Sequence, residues 1–358
     1  MNHFANRAKI IGLGHYMPRV KVTNEDFLNW EFYDAAGNRI DKPNEEIIQK
    51  FFEITNIRER RFAADDVLTS HMAAEAARKA IDDAGIDPEQ LDYIIVGSNY
   101  GDIEKGSHQS DFVPSVASRV KYYLKIKNPA TVAYDILFGC PGWLEGVIQA
   151  HIQMKAGESQ YALVIGAETL SRVRDPYSRD SMIFADGAGA AVLKITAEPE
   201  EGILSHLSHT YAWPEAEYLW NAPSVNKEHD QSLKYIFMQG HKIYEFALTN
   251  VPAAMKQCFD ASGEDIRDLK KVFIHQANEK MDAAIVKRFF RLYKMNPPEG
   301  IMPANIEFMG NSSVATIPTL MDQVRKGMIP GQELHPGDLI LLASVGAGMN
   351  INAVTMRF

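Results

Sequence analysis

An internal repeat covering about half of the chain is the feature that most constrains the fold. At an offset of 178 residues, Gly85 corresponds to Gly263 and Leu91 to Leu269 in the 358-residue chain. In both copies a helical segment ends at the glycine, a short polar link containing aspartate follows, and an apolar strand emerges. A repeat of this length predicts duplicated α/β units instead of a solenoid of short repeats. We place the two halves at residues 1–195 and 196–358.

Composition excludes several classes of protein. The chain is 46% hydrophobic and 23% charged, as is ordinary for a globular protein, and its net charge of −9 argues against general nucleic-acid binding. No apolar run approaches 18 residues and no signal segment is evident, so we expect no membrane span. Only Cys140 and Cys258 are present, which fits a reducing compartment and predicts a cytoplasmic protein. The eleven histidines show no ligand spacing, so we expect neither a metal site nor a cofactor.

Cys140 lies where an apolar strand meets a helix. The segment from Tyr134 to Phe138 is predicted to be a buried strand, and helical spacing of apolar residues resumes at Trp143. Pro141 suits the first turn of that helix. A thiol at a helix N-terminus is expected to have a lowered pKa, because the helix dipole favours the thiolate. A lone buried cysteine is nevertheless more often structural than reactive.

Two further strand ends carry reactive side chains. The strand Val272–Ile274 runs directly into His275, and Asn311 lies in a Gly/Ser turn before a helix of the second half. By the repeat, the Asn311 turn is the counterpart of the Cys140 turn. Parallel strands in α/β sheets bring such ends to one edge, where loops from both halves converge. The three residues together therefore predict a Cys-His-Asn catalytic set.

Six segments resemble the β-ketoacyl-[acyl carrier protein] synthase III family of thiolase-fold condensing enzymes, and the resemblance runs along nearly the whole chain. They are the 55–61 Thr-Asn-Ile-Arg-Glu-Arg-Arg run, the Cys140 turn, the 184–192 glycine-rich stretch, His275-Gln-Ala-Asn278, 310–318 Gly-Asn-Ser-Ser-Val-Ala-Thr-Ile-Pro and 345–348 Val-Gly-Ala-Gly. The resemblance implies a five-layered αβαβα fold of two duplicated halves and a homodimer.

The resemblance also implies an acyltransferase and a role for each residue. Cys140 would accept an acyl group from a thioester, with the backbone N–H groups of Cys140 and Gly348 as the oxyanion hole. His275 and Asn311 would donate hydrogen bonds to the carbonyl of a malonyl-type carrier-protein thioester. Decarboxylation would then leave an enolate that attacks the acyl group in a Claisen condensation, in fatty acid or polyketide-like biosynthesis.

The expected partners are acyl carrier protein, coenzyme A thioesters, or both. A basic stripe at helical spacing follows His275 and is predicted to dock the acidic carrier; it consists of Lys280, Lys287, Arg291 and Lys294. A solvated helix face is the alternative that the charges alone leave open. Lys280 matches a carrier-docking basic position of the family, which favours docking.

Some residues depart from the family pattern. Lys50 and Phe51 stand near the position where the family often has an aromatic residue that stacks on coenzyme A, and Pro141 and Trp143 are expected to reshape the acyl pocket. These departures favour a specialised relative, and one alternative is an enzyme that joins two β-ketoacyl thioesters into a dialkylresorcinol.

A degradative thiolase would need a second catalytic cysteine near residues 345–349, where there is none. A 3-hydroxy-3-methylglutaryl-type synthase would need a glutamate base that the sequence does not identify. A further alternative is a non-catalytic homologue that only binds acyl carriers.

Overall fold

A computed structural model describes residues 6–358. Its strands, in chain order, are β1 (Arg7–Tyr16), β2 (Val20–Thr23), β3 (Glu59–Phe62), β4 (Tyr93–Gly97), β5 (Val132–Ile136), β6 (Tyr161–Thr169), β7 (Asp186–Thr196), β8 (Gly202–Thr210), β9 (Leu219–Ala222), β10 (Tyr235–Met238), β11 (Lys271–Ile274), β12 (Leu339–Gly346) and β13 (Asn350–Arg357). Its α-helices are α1 (Asn44–Thr55), α2 (Thr69–Ala84), α3 (Val116–Tyr123), α4 (Gly142–Ala156), α5 (Gly240–Ser262), α6 (Glu279–Arg291), α7 (Ile306–Met309) and α8 (Thr316–Arg325). None of the helices in this part of the chain is long and apolar enough to cross a bilayer.

Two mixed sheets repeat the same topology. The first has the strand order β1-β7-β6-β4-β5, and the second has the order β11-β12-β13-β8. In the first, β4 is parallel to β5 and β6, whereas β7 is antiparallel to β6 and β1. In the second, β11 is parallel to β12, whereas β13 is antiparallel to β12 and β8. The matching orders and directions show that the predicted duplication is present in the fold.

The helices form three layers around these sheets. One apolar cluster joins α4 and α8 to residues of both sheets, so these two helices form the central layer. A second cluster packs α2 and α3 on the outer face of the first sheet, and a third packs α5 and α6 on the outer face of the second. The αβαβα prediction is confirmed. Because the central layer belongs to both halves, the division at residues 195 and 196 into separate domains stays a prediction.

Helix ends follow from local backbone chemistry. Gly85, Gly157 and Gly263 end α2, α4 and α5 in the left-handed conformation, at φ of 65°, 84° and 77°. That conformation is accessible to glycine without the steric penalty of a Cβ atom, which is why helices so often stop there. The repeat recognised in the sequence thus corresponds, at Gly85 and Gly263, to two equivalent helix terminations.

The strand before Cys140 differs from its prediction. The segment was expected to be buried, but β5 is the edge strand of its sheet, Val132 is exposed and Leu137 is 70% exposed. In the second half no strand occupies the equivalent edge; there the N–H of Val272 on β11 donates to the carbonyl of Ile301 in a connecting segment. An edge strand has one unpaired side, so its apolar residues remain exposed unless another chain covers them.

Candidate active site

Cys140, His275 and Asn311 line one cleft of about 890 Å³. They reach it from the turns that follow β5, β11 and α7, so the three predicted side chains are brought together from both halves. The other walls are mostly apolar and come from α1, the segment before β7, strands β9 and β10, the starts of α5 and α6, and the end of β12. They include Phe51, Ile54, Ile183, Phe184, Leu219, Phe237, Met238, Ile243, Met281 and Val345. An apolar wall with a few convergent polar groups is typical of a substrate pocket.

The backbone around Cys140 is tightly packed. Gly139 has φ of 67°, and a Cβ on it would lie 2.7 Å from the nitrogen of Ala347. A Cβ on Gly346 would lie 2.5 Å from the nitrogen of Cys140. The end of β12 and the turn after it therefore lie directly against the Cys140 turn. Gly346 lines the cleft and Gly348 does not, so the role of the Gly348 amide in an oxyanion hole stays a prediction.

The electrostatics at Cys140 differ from the expected lowering of its pKa. Burial at the base of the cleft, with a smaller contribution from the nearby Glu168 carboxyl, raises the pKa of the thiol to about 11. A hydrogen bond from Ser313 acts in the opposite direction. The physical reason is that removing a thiolate from water costs more free energy than the N-terminus of α4 and the hydrogen bond from Ser313 together provide. Cys140 therefore rests as a thiol.

His275 is buried and neutral. Its ring is fixed at the end of β11, where its backbone N–H donates to Ala343 at 2.9 Å, and only 3% of the residue is exposed. Burial lowers the pKa of the imidazole to about 4. Nδ1 lies 2.7 Å from the hydroxyl oxygen of Thr316. One ring nitrogen is thus bonded inside the protein, and the residue lines the cleft.

Asn311 is held by its own backbone and side chain. Its N–H donates to Ile183 and its carbonyl accepts from Ala185, each at 2.9 Å. Its Oδ1 accepts the backbone N–H of Ser313 at 2.8 Å. Because the amide oxygen is engaged in this way, the Nδ2 hydrogens remain for a ligand in the cleft.

A buried acid near the Cys140 turn was not predicted from the sequence. The backbone and side-chain N–H groups of Asn99 both donate to Oε1 of Glu168 at 2.7 Å, and the Asn99 amide oxygen accepts from Gly139. Burial raises the pKa of Glu168 to about 8. Asn99 thereby links this carboxyl to the Cys140 turn. The only sequence signal was a glutamate at the end of a strongly apolar strand.

The basic residues predicted for carrier docking lie on the surface. Lys280, Lys287 and Arg291 are exposed on α6, beside Asn278 and Met281, which line the cleft. Lys294 is exposed too, but α6 ends at Arg291, so its placement on the helix was wrong. Its φ of 59° belongs to the turn that follows the helix. No side-chain group suited to hold a metal ion occurs among residues 6–358.

Trp143 does not reshape the cleft, contrary to expectation. It is 1% exposed, packs in the central layer and donates from its indole nitrogen to Val164 at 3.2 Å. Neither Trp143 nor Pro141 lines the cleft. Trp143 lies three residues after Cys140, in the first turn of α4, where its side chain points into the core between the two sheets.

Comparison with known proteins agrees with this arrangement. The family described as 3-oxoacyl-[acyl-carrier-protein (ACP)] synthase III matches residues 134–212, and its C-terminal counterpart matches residues 259–358. The chain is 32% identical over 352 residues to the beta-ketoacyl-[acyl-carrier-protein] synthase III of Pectobacterium atrosepticum, with 98% of this chain and 99% of that one covered.

Solved structures give the same result. The 3-oxoacyl-[acyl-carrier-protein] synthase III of Aquifex aeolicus superposes with a TM-score of 0.79 at 29% identity and covers 98% of this chain and 100% of its own. The priming β-ketosynthase of the R1128 polyketide pathway superposes with a TM-score of 0.80 at 25% identity and covers 98% and 96%. The predicted fold and family are confirmed. The chain belongs to the 3-oxoacyl-[acyl-carrier-protein] synthase III family of condensing acyltransferases.

Proposed function

We propose that this protein condenses an acyl thioester, held on Cys140, with a malonyl-type carrier-protein thioester. The observation that carries the proposal is that Cys140, His275 and Asn311 line one largely apolar cleft. Membership of the synthase III family supports the reaction class, and the geometry supplies a role for each side chain.

In the first half-reaction, Cys140 attacks the carbonyl of the incoming acyl thioester. The new C–S bond forms as the bond to the carrier sulfur breaks, and the thiol proton of Cys140 passes to the departing thiolate, which leaves as a free thiol. The oxyanion of the intermediate lies near the N–H of Cys140 and a second N–H from the turn at 346–348. The N-terminus of α4 and the hydrogen bond from Ser313 stabilise the negative charge that develops on the Cys140 sulfur.

In the second half-reaction, His275 and Asn311 donate to the thioester carbonyl oxygen of the malonyl-type substrate. Loss of carbon dioxide leaves an enolate whose negative charge is on that oxygen. The enolate carbon then bonds to the acyl carbonyl carbon as the bond from that carbon to the Cys140 sulfur breaks, and the released thiolate takes up a proton from water. Both donors are buried and already positioned, so little reorganisation is needed as the charge forms. A neutral imidazole serves this purpose as a hydrogen-bond donor.

Intact-mass measurement of the protein after incubation with acyl thioesters tests the proposal. Wild type should gain one acyl group, and Cys140→Ala should gain none. If no thioester of any chain length modifies Cys140, the proposal fails. A panel of malonyl and β-ketoacyl carrier substrates distinguishes the decarboxylative condensation from the dialkylresorcinol alternative, and a protein without turnover on any of them would be the non-catalytic homologue.

We propose that the carrier protein docks on the basic stripe, which begins beside the mouth of the cleft. Lys280 is the stripe residue next to the cleft-lining residues Asn278 and Met281. Lys280→Glu should raise the KM for carrier-protein thioesters about tenfold and leave the KM for coenzyme A thioesters within twofold. Arg78→Glu, an equally exposed charge reversal on α2, is the control. Equal effects of both variants would contradict docking at this site.

We propose further that the protein is a cytoplasmic homodimer. The open edge of β5 and the exposed Leu137 beside it support pairing of two copies along this strand. The free thiols of Cys140 and Cys258 fit a reducing compartment. Sedimentation of wild type and Leu137→Asp tests the dimer: wild type should sediment as a dimer and the variant should dissociate.

A further inference from the structure

Thr316, the first residue of α8, contacts the buried side of His275. Its hydroxyl oxygen lies 2.7 Å from Nδ1 of the imidazole and 3.0 Å from the backbone carbonyl oxygen of Ser313. A hydroxyl has one proton, so it donates to only one of these two acceptors. Which one it selects determines where the imidazole carries its own proton.

The two arrangements have opposite chemical consequences. If the hydroxyl donates to Ser313, then Nδ1 must carry the proton and donate to the hydroxyl oxygen, and Nε2 is a bare acceptor. If the hydroxyl donates to Nδ1, then Nε2 carries the proton. Only the second tautomer can donate to a developing enolate oxygen. His275 is neutral when buried, so it cannot carry both protons.

The local hydrogen bonds permit the second arrangement, and the donor role proposed for His275 requires it. The Ser313 carbonyl already accepts the backbone N–H of Thr316, so it keeps a donor when the hydroxyl turns away. No other hydrogen bond to Nδ1 is present within residues 6–358, so the tautomer depends on this one hydroxyl.

We propose that Thr316 is a positioning residue that donates to Nδ1 of His275 and so holds the imidazole in the Nε2–H tautomer. This inference rests on the proposed function, because it assumes that His275 acts as a donor. Thr316 itself lies behind the imidazole and is not among the residues that line the cleft. Its contribution is to orient the ring and place its proton.

Four variants separate this role from simple packing. Thr316→Val keeps the shape of the side chain and removes the hydroxyl, whereas Thr316→Ser keeps the hydroxyl. Thr319→Val is the matched control, because Thr319 is a buried threonine of the same helix whose hydroxyl lies near the Ala188 carbonyl, at 3.4 Å, and does not line the cleft. His275→Ala tests the assumed role of the imidazole itself.

Two half-reactions and one spectrum are measured. Thr316→Val should lower malonyl-thioester decarboxylation about 10²-fold and leave acylation of Cys140 within threefold, whereas Thr316→Ser and Thr319→Val should stay within threefold of wild type in both. In ¹⁵N-histidine spectra, His275 of wild type should show the Nε2–H pattern, and Thr316→Val should gain the Nδ1–H pattern.

The outcomes distinguish the two proposals. If His275→Ala decarboxylates at the wild-type rate, the donor role in the proposed function fails. If His275→Ala is inactive but Thr316→Val retains wild-type decarboxylation, only the role of Thr316 is overturned. If wild-type His275 shows the Nδ1–H pattern, the donor role of His275 and the role of Thr316 both fail. Thermal unfolding of each variant shows whether a loss of rate reflects a loss of fold.

Discussion

Gly346 should not tolerate even one added methyl group, because it lies against Cys140. A Cβ there would be 2.5 Å from the nitrogen and 2.9 Å from the Cβ of Cys140. The φ of Gly346 is −167°, an extended conformation that alanine adopts freely, so the whole cost of Gly346→Ala is steric. Ordinary contact begins at 3.4 Å, so the two turns must separate by about 0.9 Å.

This displacement gives a quantitative expectation. Moving a reacting group by about 1 Å can lower a rate by about 10²-fold, and forcing a methyl group into a packed site costs about 1–3 kcal/mol of stability. We therefore expect Gly346→Ala to fold with a lower Tm and to acylate Cys140 about 10²-fold more slowly, as measured by quenched intact-mass time courses.

Gly85→Ala is the matched control for this experiment. Nothing lies within 4 Å of a Cβ on Gly85, but its φ is 65°, so alanine there should cost about 1 kcal/mol through backbone strain and leave acylation unchanged. Wild-type acylation by Gly346→Ala would refute the close contact between the two turns. Equal losses of acylation in both variants would show that general destabilisation, instead of displacement of Cys140, is responsible.

Three further outcomes follow from the site. Burial depresses the pKa of His275 from 6.5 to about 4, so its neutral form stabilises the fold above pH 6.5. About 3 kcal/mol of folding stability should be lost as the pH falls from 6.5 to 4. Denaturant titrations should show a smaller loss in His275→Gln, and an identical pH profile would contradict the burial argument. Trp143→Phe should lose about 1–2 kcal/mol of folding stability, because the Val164 carbonyl loses its indole donor. The variant should still acylate Cys140 at the wild-type rate. Slower acylation with an unchanged Tm would show that Trp143 contributes to the pocket. Asn311→Asp should slow decarboxylation about 10²-fold more than acylation, because a carboxylate cannot donate to the enolate and repels it. If radiolabel assays show that both half-reactions lose the same factor in rate, the role of Asn311 as a donor to the enolate is contradicted.

Much of the fold followed from local patterns in the sequence. Glycine helix ends and apolar strands recur at one offset, and both features depend on residues close together in the chain. The convergence of Cys140, His275 and Asn311 was also predictable, because duplicated sheets bring equivalent turns to facing positions. These inferences needed only topology and no side-chain contact.

Other features depended on contacts between distant residues. A lowered pKa was expected for Cys140 from the helix terminus alone, whereas burial in the cleft and the nearby Glu168 raise the pKa of the thiol. The apolar walls from β9 and β10 could not be assigned, because no local pattern indicates which surface a short hairpin covers. Thr316 was visible within the Gly-Asn-Ser-Ser segment, but its contact with His275 joins two turns that are 41 positions apart.

The unequal edges of the two sheets bear on how copies of the chain can assemble. β1 and β8 lie against each other inside the molecule, where a Cβ on Gly202 would be 2.4 Å from the Ala8 carbonyl, and the connection at Ile301 covers the free side of β11. Of the four edges of the large sheets, that leaves the β5 edge open. Two copies that pair along this strand use the one open edge that the large sheets of residues 6–358 offer, so strand pairing through these sheets gives a closed pair and leaves no second edge for growth into a filament.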